Sequence, residues 1–331
     1  MEKIFLSSTQ KLYQKIGKGD IRGFTIPAFN IRTLTYDTAR ALFRAVKKNK
    51  VGVFIVELAE SEMTYTDQSP QEYACLILKA AREEKLVGPL FLQGDHFKIR
   101  EDSGDLKSLI KKAIDAGFYN IDIDGSILPI EENYKKTAEL TSFIRKLEPK
   151  NLTISVGGEV GIIGGRNTTL SECEEFIVGY NKELSKYGNL EGLIKIAVQT
   201  GTAHSKGGET DFQLLKILIE KVKEYSIAGV VQHGASTLLE QEFKKFSEAG
   251  VLEIHLATEF QNIILNSPYF PQELKEKIHS KKDLGLFKKE ISQIPQKNID
   301  KICEELEEKF EFFFKALNVC GTSELVQEIF N

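Results

Sequence analysis

Four of the five histidines in the chain stand at or just beyond the ends of short apolar segments. They are His96, His204, His233 and His255. Imidazole nitrogens brought together from separate segments are the usual ligands of a catalytic zinc ion, which keeps one position open for substrate. One histidine at such a place is more often a hydrogen-bonded structural residue. Four at equivalent places favour a divalent metal site.

The first of these histidines ends the stretch LFLQGDHF, residues 90–97, directly after an aspartate. Gly94 and Asp95 are ordinary turn residues, so a turn is the simplest interpretation. If His96 binds a metal, however, its neighbour Asp95 can face the substrate. A carboxylate beside a metal-bound carbonyl is well placed to transfer a proton. The turn interpretation requires His96 to point away from the site.

Eight short apolar segments alternate with amphipathic helical patterns along most of the chain. The predicted strands cover residues 24–31, 51–59, 89–96, 120–125, 153–160, 192–199, 228–234 and 251–258. Strands joined by helices pair in parallel, so the pattern predicts an α/β fold: one (β/α)8 TIM barrel domain over residues 1–331. Residues from roughly 265 to 331 are predicted to be extra helices that close the barrel or contact another subunit. A doubly wound open sheet is the alternative.

Two glycine-containing loops follow the sixth and seventh predicted strands: QTGTAHSKGG (199–208) and QHGAST (232–237). Small residues let backbone N–H groups approach an anion, and loops after the late strands of a barrel are a common phosphate site. Ser236 and Thr237 are also good N-cap residues, so either loop alone is weak support. Together, beside candidate metal ligands, they favour a phosphorylated substrate.

Composition excludes several other classes of partner. The net charge is -4 and basic residues form no long run, which argues against nucleic acid. No stretch approaches the ~18 apolar residues of a membrane span, and the first residues lack a signal-peptide core. The cysteines are scattered without a CxxC pair, so we expect them to be reduced and mostly buried. A soluble cytoplasmic protein is the expectation.

The motifs and their order resemble those of the class II, metal-dependent fructose-bisphosphate aldolases. The matching stretches are IPAFNI (26–31), GDH (94–96), DIDGS (122–126), EEN (131–133), GGEVG (157–161), QTGTAH (199–204), HGAS (233–236) and HLATEF (255–260). The resemblance implies that His96, His204 and His233 bind zinc, with Glu159 as an alternate ligand. It also implies that Asp95 is the catalytic aspartate. The implied substrate or phosphate contacts are Asn30, Ser61, Gly234, Ser236 and Thr258.

Three positions depart from that pattern. Ser205 replaces the glycine that normally follows the second histidine ligand, His255 replaces an asparagine that contacts the triose, and Ala257 replaces an aspartate. We include Ser205 and His255 among the predicted substrate contacts, with His255 orienting the triose. The acidic residue expected in the loop after the fifth strand has no clear counterpart, since residues 164–167 offer only Arg166 and Asn167.

The resemblance implies reversible cleavage of a ketose bisphosphate, fructose 1,6-bisphosphate, to dihydroxyacetone phosphate and glyceraldehyde 3-phosphate. It further implies Zn²⁺ or another divalent metal, and a homodimer or homotetramer. Three alternatives stay open: another ketose phosphate such as tagatose 1,6-bisphosphate, a non-catalytic sugar-phosphate-binding subunit, and a Schiff-base aldolase. The last would use Lys195, although a packed stem with its amine at the outer rim is the more ordinary role for that lysine.

Overall fold

The computed structural model of the protein describes residues 3–100, 103–162, 164–201, 209–234 and 238–330. The strands are β1 (Ile4–Ser7), β2 (Ile26–Asn30), β3 (Ile55–Ala59), β4 (Gly88–Lys98), β5 (Asn120–Asp124), β6 (Ser155–Val160), β7 (Lys195–Val198), β8 (Gly229–Gln232) and β9 (Glu253–Leu256). The helices through the barrel are α1 (Gln10–Gly17), α2 (Thr35–Lys48), α3 (Glu60–Tyr65), α4 (Pro70–Glu83), α5 (Ser103–Ala116), α6 (Ile130–Leu147), α7 (Leu170–Ser185), α8 (Phe212–Glu224), α9 (Phe243–Ala249) and α10 (Thr258–Asn266). They are followed by α11 (Gln272–Lys277), α12 (Lys288–Ile291), α13 (Gln296–Ala316) and α14 (Ser323–Phe330).

Strands β2 to β9 form a closed parallel barrel. Their neighbour order is β4-β3-β2-β9-β8-β7-β6-β5, and pairing of β5 with β4 closes the ring. Closure confirms the predicted (β/α)8 barrel and excludes the open sheet, which would leave two unpaired edges. The eight predicted strands are the eight barrel strands. The short strand β1 was not predicted; it lies outside the ring and pairs with the start of β4, with Ile4 opposite Gly88.

Helix α4 illustrates how the sequence forms the outer ring. Pro70 stands at its first turn, where a missing N–H costs nothing, and the Ser69 hydroxyl accepts a hydrogen bond from the Glu72 N–H. Its buried residues recur every three or four positions: Tyr73, Ala74, Ile77, Ala80 and Ala81. The Tyr73 hydroxyl donates to the Glu57 carbonyl at 2.8 Å, which fixes the helix against β3.

The predicted extra C-terminal helices are present, and α13 packs outside the ring against α2 and α10. Phe310 of α13 lies 5.1 Å from Phe29 of β2 and 4.6 Å from Phe260 of α10, measured between ring centroids. Phe313 and Phe314 extend the same cluster. Burial of each phenylalanine stabilises the fold by about 1.5–3 kcal/mol, so α13 is held firmly between α2 and α10.

Two further observations bear on the sequence-based expectations. Cys173 and Cys303 are buried, but Cys75 and Cys320 are exposed, so the expectation of mostly buried cysteines holds for only half of them. Within the described ranges, every helix is too short or too polar to traverse a lipid bilayer.

Candidate active site

A β-bulge in β4 turns two consecutive side chains into one cavity. The register between β4 and β5 shifts between Gly94 and Phe97, and His96 adopts a positive φ of 45°. A regular strand would send Asp95 and His96 to opposite faces. The bulge instead lets both line the cavity at the barrel opening. The turn interpretation is therefore wrong.

This cavity, of about 300 Å³, lies at the carboxyl ends of the barrel strands. Every predicted site residue that the structure describes lines it: Asn30, Ser61, Asp95, His96, Glu159, His233, Gly234, His255 and Thr258. The other three, His204, Ser205 and Ser236, lie outside the described residues, as do most of the two glycine loops. The strands thus bring together residues spread over more than 200 positions of the chain.

Asp95, His96 and His233 offer ligand atoms that all lie within 4.8 Å of one another. The His96 Nδ1 atom is 3.2 Å from Asp124 Oδ2 and 3.1 Å from Glu159 Oε2, so these carboxylates hold a proton on Nδ1 and leave Nε2 as the ligand atom. The Asp95 carboxylate faces both rings: its Oδ2 atom lies 3.9 Å from His96 Nε2, and its Oδ1 atom lies 3.3 Å from His255 Nδ1. Nitrogen and oxygen ligands in this arrangement fit a divalent metal ion.

The two carboxylates beside His96 differ in charge. Burial raises the pKa of Glu159 to about 7. Burial also raises the pKa of Asp124, but hydrogen bonds from His96 and Ser126 outweigh it and hold that pKa at about 2. Asp124 is thus the permanently ionised partner of His96. Both carboxylates lie on the Nδ1 side of His96, whereas Nε2 is the ligand atom, so the role of Glu159 as an alternate ligand stays a prediction.

His255 of β9 has carboxylates around both ring nitrogens. Its Nδ1 atom lies 3.2 Å from Glu57 Oε2 and 3.3 Å from Asp95 Oδ1, and its Nε2 atom lies 2.7 Å from Glu253 Oε1. Burial lowers the pKa of His255, but Glu57 and Asp95 outweigh burial and raise it well above its usual value. The sequence indicated a contact with substrate at this position. The structure adds a contact with Asp95 that the sequence did not indicate.

Lys195 lies inside the barrel, below this cavity, with a fully buried side chain. Its Nζ atom donates to Gln93 Oε1 at 2.7 Å, Asp122 Oδ2 at 2.9 Å and Glu253 Oε1 at 2.7 Å. Burial lowers the pKa of Lys195, but Asp122 and Glu253 more than compensate and raise it. The expected position at the outer rim is therefore wrong. A Schiff-base lysine must reach the substrate and lose its proton. The Lys195 ammonium is buried, ionised and hydrogen-bonded to three side chains, which argues against that role.

Several residues of the cavity wall were not predicted as site residues. They are Arg32, Glu57, Glu62, Lys98, Asp124 and Lys281. The sequence contained a feature that could have predicted Asp124 as a site residue, because Asp124 belongs to the DIDGS motif at the end of a predicted strand. Lys281 had none, because it comes from the segment between α11 and α12, beyond the barrel repeat. Arg166, noted in the loop after β6, instead pairs with Glu172 at an exposed position.

Comparison with known proteins agrees with the motifs. The profile of the family described as "Fructose-bisphosphate aldolase class-II" matches residues 8–318. A Giardia intestinalis protein named "Fructose-bisphosphate aldolase" is 26% identical over 229 residues, 68% of this chain and 65% of that protein, so the match spans slightly less than two thirds of the relative. The structure of the YdjI aldolase from Escherichia coli K12 superposes with a TM-score of 0.67 at 16% identity, covering 96% of this chain and 100% of that one.

The fructose-bisphosphate aldolase of Campylobacter jejuni superposes with the same TM-score, 0.67, at 19% identity, covering 97% of each chain. At such identities the two structures support the barrel fold alone. The family profile, in contrast, covers almost the whole chain and includes every strand of the closed barrel. The chain therefore belongs to the class II fructose-bisphosphate aldolase family.

Proposed function

We propose that the protein catalyses the reversible cleavage of fructose 1,6-bisphosphate to dihydroxyacetone phosphate and glyceraldehyde 3-phosphate, with zinc or another divalent metal. The observation that carries this proposal is the bulge in β4, which directs a carboxylate and an imidazole from adjacent residues into one cavity beside His233. A metal ligand and a proton-transfer group so close together are what a metal-dependent aldol cleavage requires.

The metal would be held by His96 and His233, with His204 as the third ligand that the family resemblance implies. A divalent cation bound there supplies Lewis-acid stabilisation of the negative charge that develops on the ketone oxygen when the carbon–carbon bond breaks. Asp124 keeps the His96 ring in the orientation and tautomer that a ligand needs. Glu159 would be the alternate ligand that the family resemblance implies.

Asp95 is the proton-transfer group. Burial raises its pKa, but His96 and His255 outweigh burial and lower it well below its usual value, so the carboxylate is ionised and can accept a proton. As the bond between carbons 3 and 4 breaks, its electrons stay on the triose half, where carbon 3 takes up a proton to give dihydroxyacetone phosphate. In the same cleavage, Asp95 takes the proton of the hydroxyl on carbon 4, which becomes the aldehyde. In synthesis it returns that proton. The His255 Nδ1 atom lies 3.3 Å from Asp95 Oδ1, so His255 orients the Asp95 carboxylate.

Gly234 and Thr258 bind the phosphate of the triose half, together with Ser236. Thr258 is the first residue of α10, whose N-terminal N–H groups favour an anion, and Gly234 adopts a positive φ of 69° in the loop after β8. Asn30 and Ser61 line the other side of the cavity and complete the substrate contacts. A phosphate anchored at this edge holds the ketone beside the metal site.

The test is release of triose phosphate from fructose 1,6-bisphosphate by the purified protein, before and after EDTA, with zinc then added back. Cleavage that is lost to the chelator and restored by zinc supports the proposal. Cleavage that survives EDTA, with a borohydride-trapped adduct on Lys195, would replace it with the Schiff-base mechanism. Sedimentation velocity on the same sample tests the proposed homodimer or homotetramer.

Two alternatives are separated in the same assay. A higher kcat/KM for tagatose 1,6-bisphosphate than for fructose 1,6-bisphosphate would change the substrate, since the two differ at one stereocentre. Tight binding of both sugars by zinc-loaded protein without any cleavage would indicate a non-catalytic binding subunit. The non-catalytic alternative is tested because His255 and Ala257 of the β9 motif replace two residues of the family pattern.

A further inference from the structure

Glu57 is a buried carboxylate of the cavity wall that the proposed mechanism does not use. It lies in β3, opposite Asn30 of β2 on one side and Gln93 of β4 on the other. Its side chain is fully buried beside His255 and belongs to the wall of the cavity. A carboxylate withdrawn from water is unfavourable unless nearby donors compensate. The groups that contact Glu57 therefore define its role.

Gln93 and His255 both contact the Glu57 carboxylate. The Gln93 Nε2 atom donates to Glu57 Oε2 at 2.9 Å, and His255 Nδ1 lies 3.2 Å from the same oxygen. The Gln93 amide is itself fixed, because its Nε2 atom also donates to Glu253 at 2.7 Å and its Oε1 atom accepts from Lys195 at 2.7 Å. Glu57 Oε2 is thus held at one place relative to the His255 ring.

Glu57 and Glu253 hold the His255 ring at its two nitrogens. Glu57 Oε2 faces Nδ1, and Glu253 Oε1 lies 2.7 Å from Nε2. The χ2 torsion of a histidine is broad, so a single contact would leave the ring free to swing about the nitrogen that it holds. Two contacts at separate nitrogens fix the plane of the ring, and loss of Glu57 would leave only the contact at Nε2.

The ring that Glu57 holds faces the proton-transfer residue. His255 Nδ1 lies 3.3 Å from Asp95 Oδ1. The other oxygen of that carboxylate, Oδ2, lies 3.9 Å from His96 Nε2, which is beyond hydrogen-bonding distance. His255 is therefore the nearer of the two rings to Asp95. Because Glu57 sets the direction of His255 Nδ1, it also sets the orientation of the Asp95 carboxylate.

We propose that Glu57 is a positioning residue for proton transfer: it directs His255 Nδ1 toward Asp95 and so keeps the Asp95 carboxylate in place for the hydroxyl on carbon 4. The inference rests on the proposed aldol cleavage. Glu57 is fully buried, so it acts through His255 and not on the substrate. Burial raises the pKa of Glu57 to about 7, although His255 lowers it. Both the ionised and the neutral carboxyl group present an acceptor oxygen to His255.

The test compares Glu57→Leu, which has no acceptor, with Glu57→Gln, which keeps a carbonyl oxygen. We expect Glu57→Leu to lower kcat for cleavage of fructose 1,6-bisphosphate by about 10- to 100-fold, with KM and zinc content changed less than about twofold. Glu57→Gln should stay within about fivefold of the wild-type kcat. If Glu57→Leu does not fold, Glu57→Ala takes its place in every measurement.

Tyr73→Phe is the matched control for a weakened β3. The Tyr73 hydroxyl donates to the backbone carbonyl of Glu57, so this variant loses a hydrogen bond at the same residue and leaves the carboxylate unchanged. Its kcat should stay within about twofold of the wild-type value. A fall in Tyr73→Phe as large as that in Glu57→Leu would assign both losses to the strand and overturn the inference.

A second readout separates positioning of Asp95 from support of the whole cavity. Dihydroxyacetone phosphate alone, in D₂O, reports hydrogen exchange at the carbon that was carbon 3, a step that does not involve the hydroxyl on carbon 4. Glu57→Leu should keep this exchange within about twofold of wild type while cleavage falls. Equal loss of exchange and cleavage would overturn the inference, and so would an unchanged kcat for cleavage.

Failure of the proposed function is distinguishable from failure of this inference. If the wild-type protein catalyses neither cleavage nor exchange, the proposed function fails. A crystal structure of Glu57→Leu then decides the inference by itself. A His255 ring turned away from Asp95 supports the positioning role of Glu57, whereas an unmoved ring contradicts it.

Discussion

The barrel holds two layers of buried charge that differ in their access to the cavity. In the interior layer, Lys195 makes hydrogen bonds to three side chains, and both carboxylate oxygens of Glu253 accept a hydrogen bond from it. At the rim layer, His255 Nδ1 lies 3.2 Å from Glu57 Oε2 and 3.3 Å from Asp95 Oδ1, and both His255 and Asp95 line the open cavity. Only the rim layer can therefore reach a ligand that enters the cavity, since Lys195 and Glu253 do not line it.

Helix α1 and Gln93 add further hydrogen bonds to the interior layer. The Tyr13 hydroxyl of α1 donates to Glu253, and Gln93 Nε2 donates to Glu57 at 2.9 Å and to Glu253 at 2.7 Å. A polar network in a barrel core is stabilising only when its members are paired. The comparison therefore predicts that interior substitutions affect stability, whereas rim substitutions affect metal binding and catalysis.

The largest effect is expected for a metal ligand at the rim. His233→Ala should remove the metal and lower kcat by ~10³-fold or more, because Lewis-acid stabilisation is worth several kcal/mol. Metal content by mass spectrometry and the cleavage assay check both effects on one preparation. Retention of metal and activity by this variant would exclude His233 as a ligand. The midpoint of urea unfolding without metal should stay within the error of the wild-type value.

Substitution of the proposed proton-transfer residue, Asp95, should have the next largest effect on kcat. It separates proton transfer from metal binding at the rim. Asp95→Asn keeps the shape of the side chain but removes the base, so kcat should fall by about 10²- to 10⁴-fold while the metal is retained. Parallel measurement of kcat and zinc content tests this. Loss of zinc in proportion to activity would instead make Asp95 a ligand.

Lys195→Met tests the interior layer. It leaves Glu253 and Asp122 buried without their cation, which should lower the free energy of unfolding by about 3–5 kcal/mol. Urea denaturation measures this loss, and Lys216→Met, at an exposed position of α8, is the control for a lysine without such partners. The folded fraction should still cleave substrate. Complete inactivity of well-folded Lys195→Met would contradict the assignment of this lysine to stability.

The smallest effect is expected for the carboxylate behind His96. Asp124→Asn replaces an ionised acceptor by a neutral amide, which should weaken metal affinity by about 10- to 100-fold without unfolding the protein. Competition with a fluorescent zinc chelator gives the affinity. An unchanged zinc affinity would show that Glu159 alone orients the ring, and the same measurement on Glu159→Gln would then give the larger loss.

Much of the fold and of the cavity wall followed from the sequence. Local periodicity predicted all eight barrel strands, since the alternation of apolar segments and amphipathic helices is a property of neighbouring residues. Gathering of the strand-end residues then follows from parallel closure, because every carboxyl end meets at one rim. Asn30 and His255, which the family resemblance implied as substrate contacts, both line the cavity although they lie far apart in the chain.

Only the tertiary structure decided what depends on contacts between distant segments. The bulge that turns Asp95 and His96 to the same side arises from the register between β4 and β5, which no local pattern encodes. The burial of Lys195 required its partner Glu253 on another strand, and the entry of Lys281 required the docking of Gly285 on α3. The sequence by itself determined which elements form and which ends meet. Pairing register and long-range packing decided where the side chains point, because both are set by partners distant in the chain.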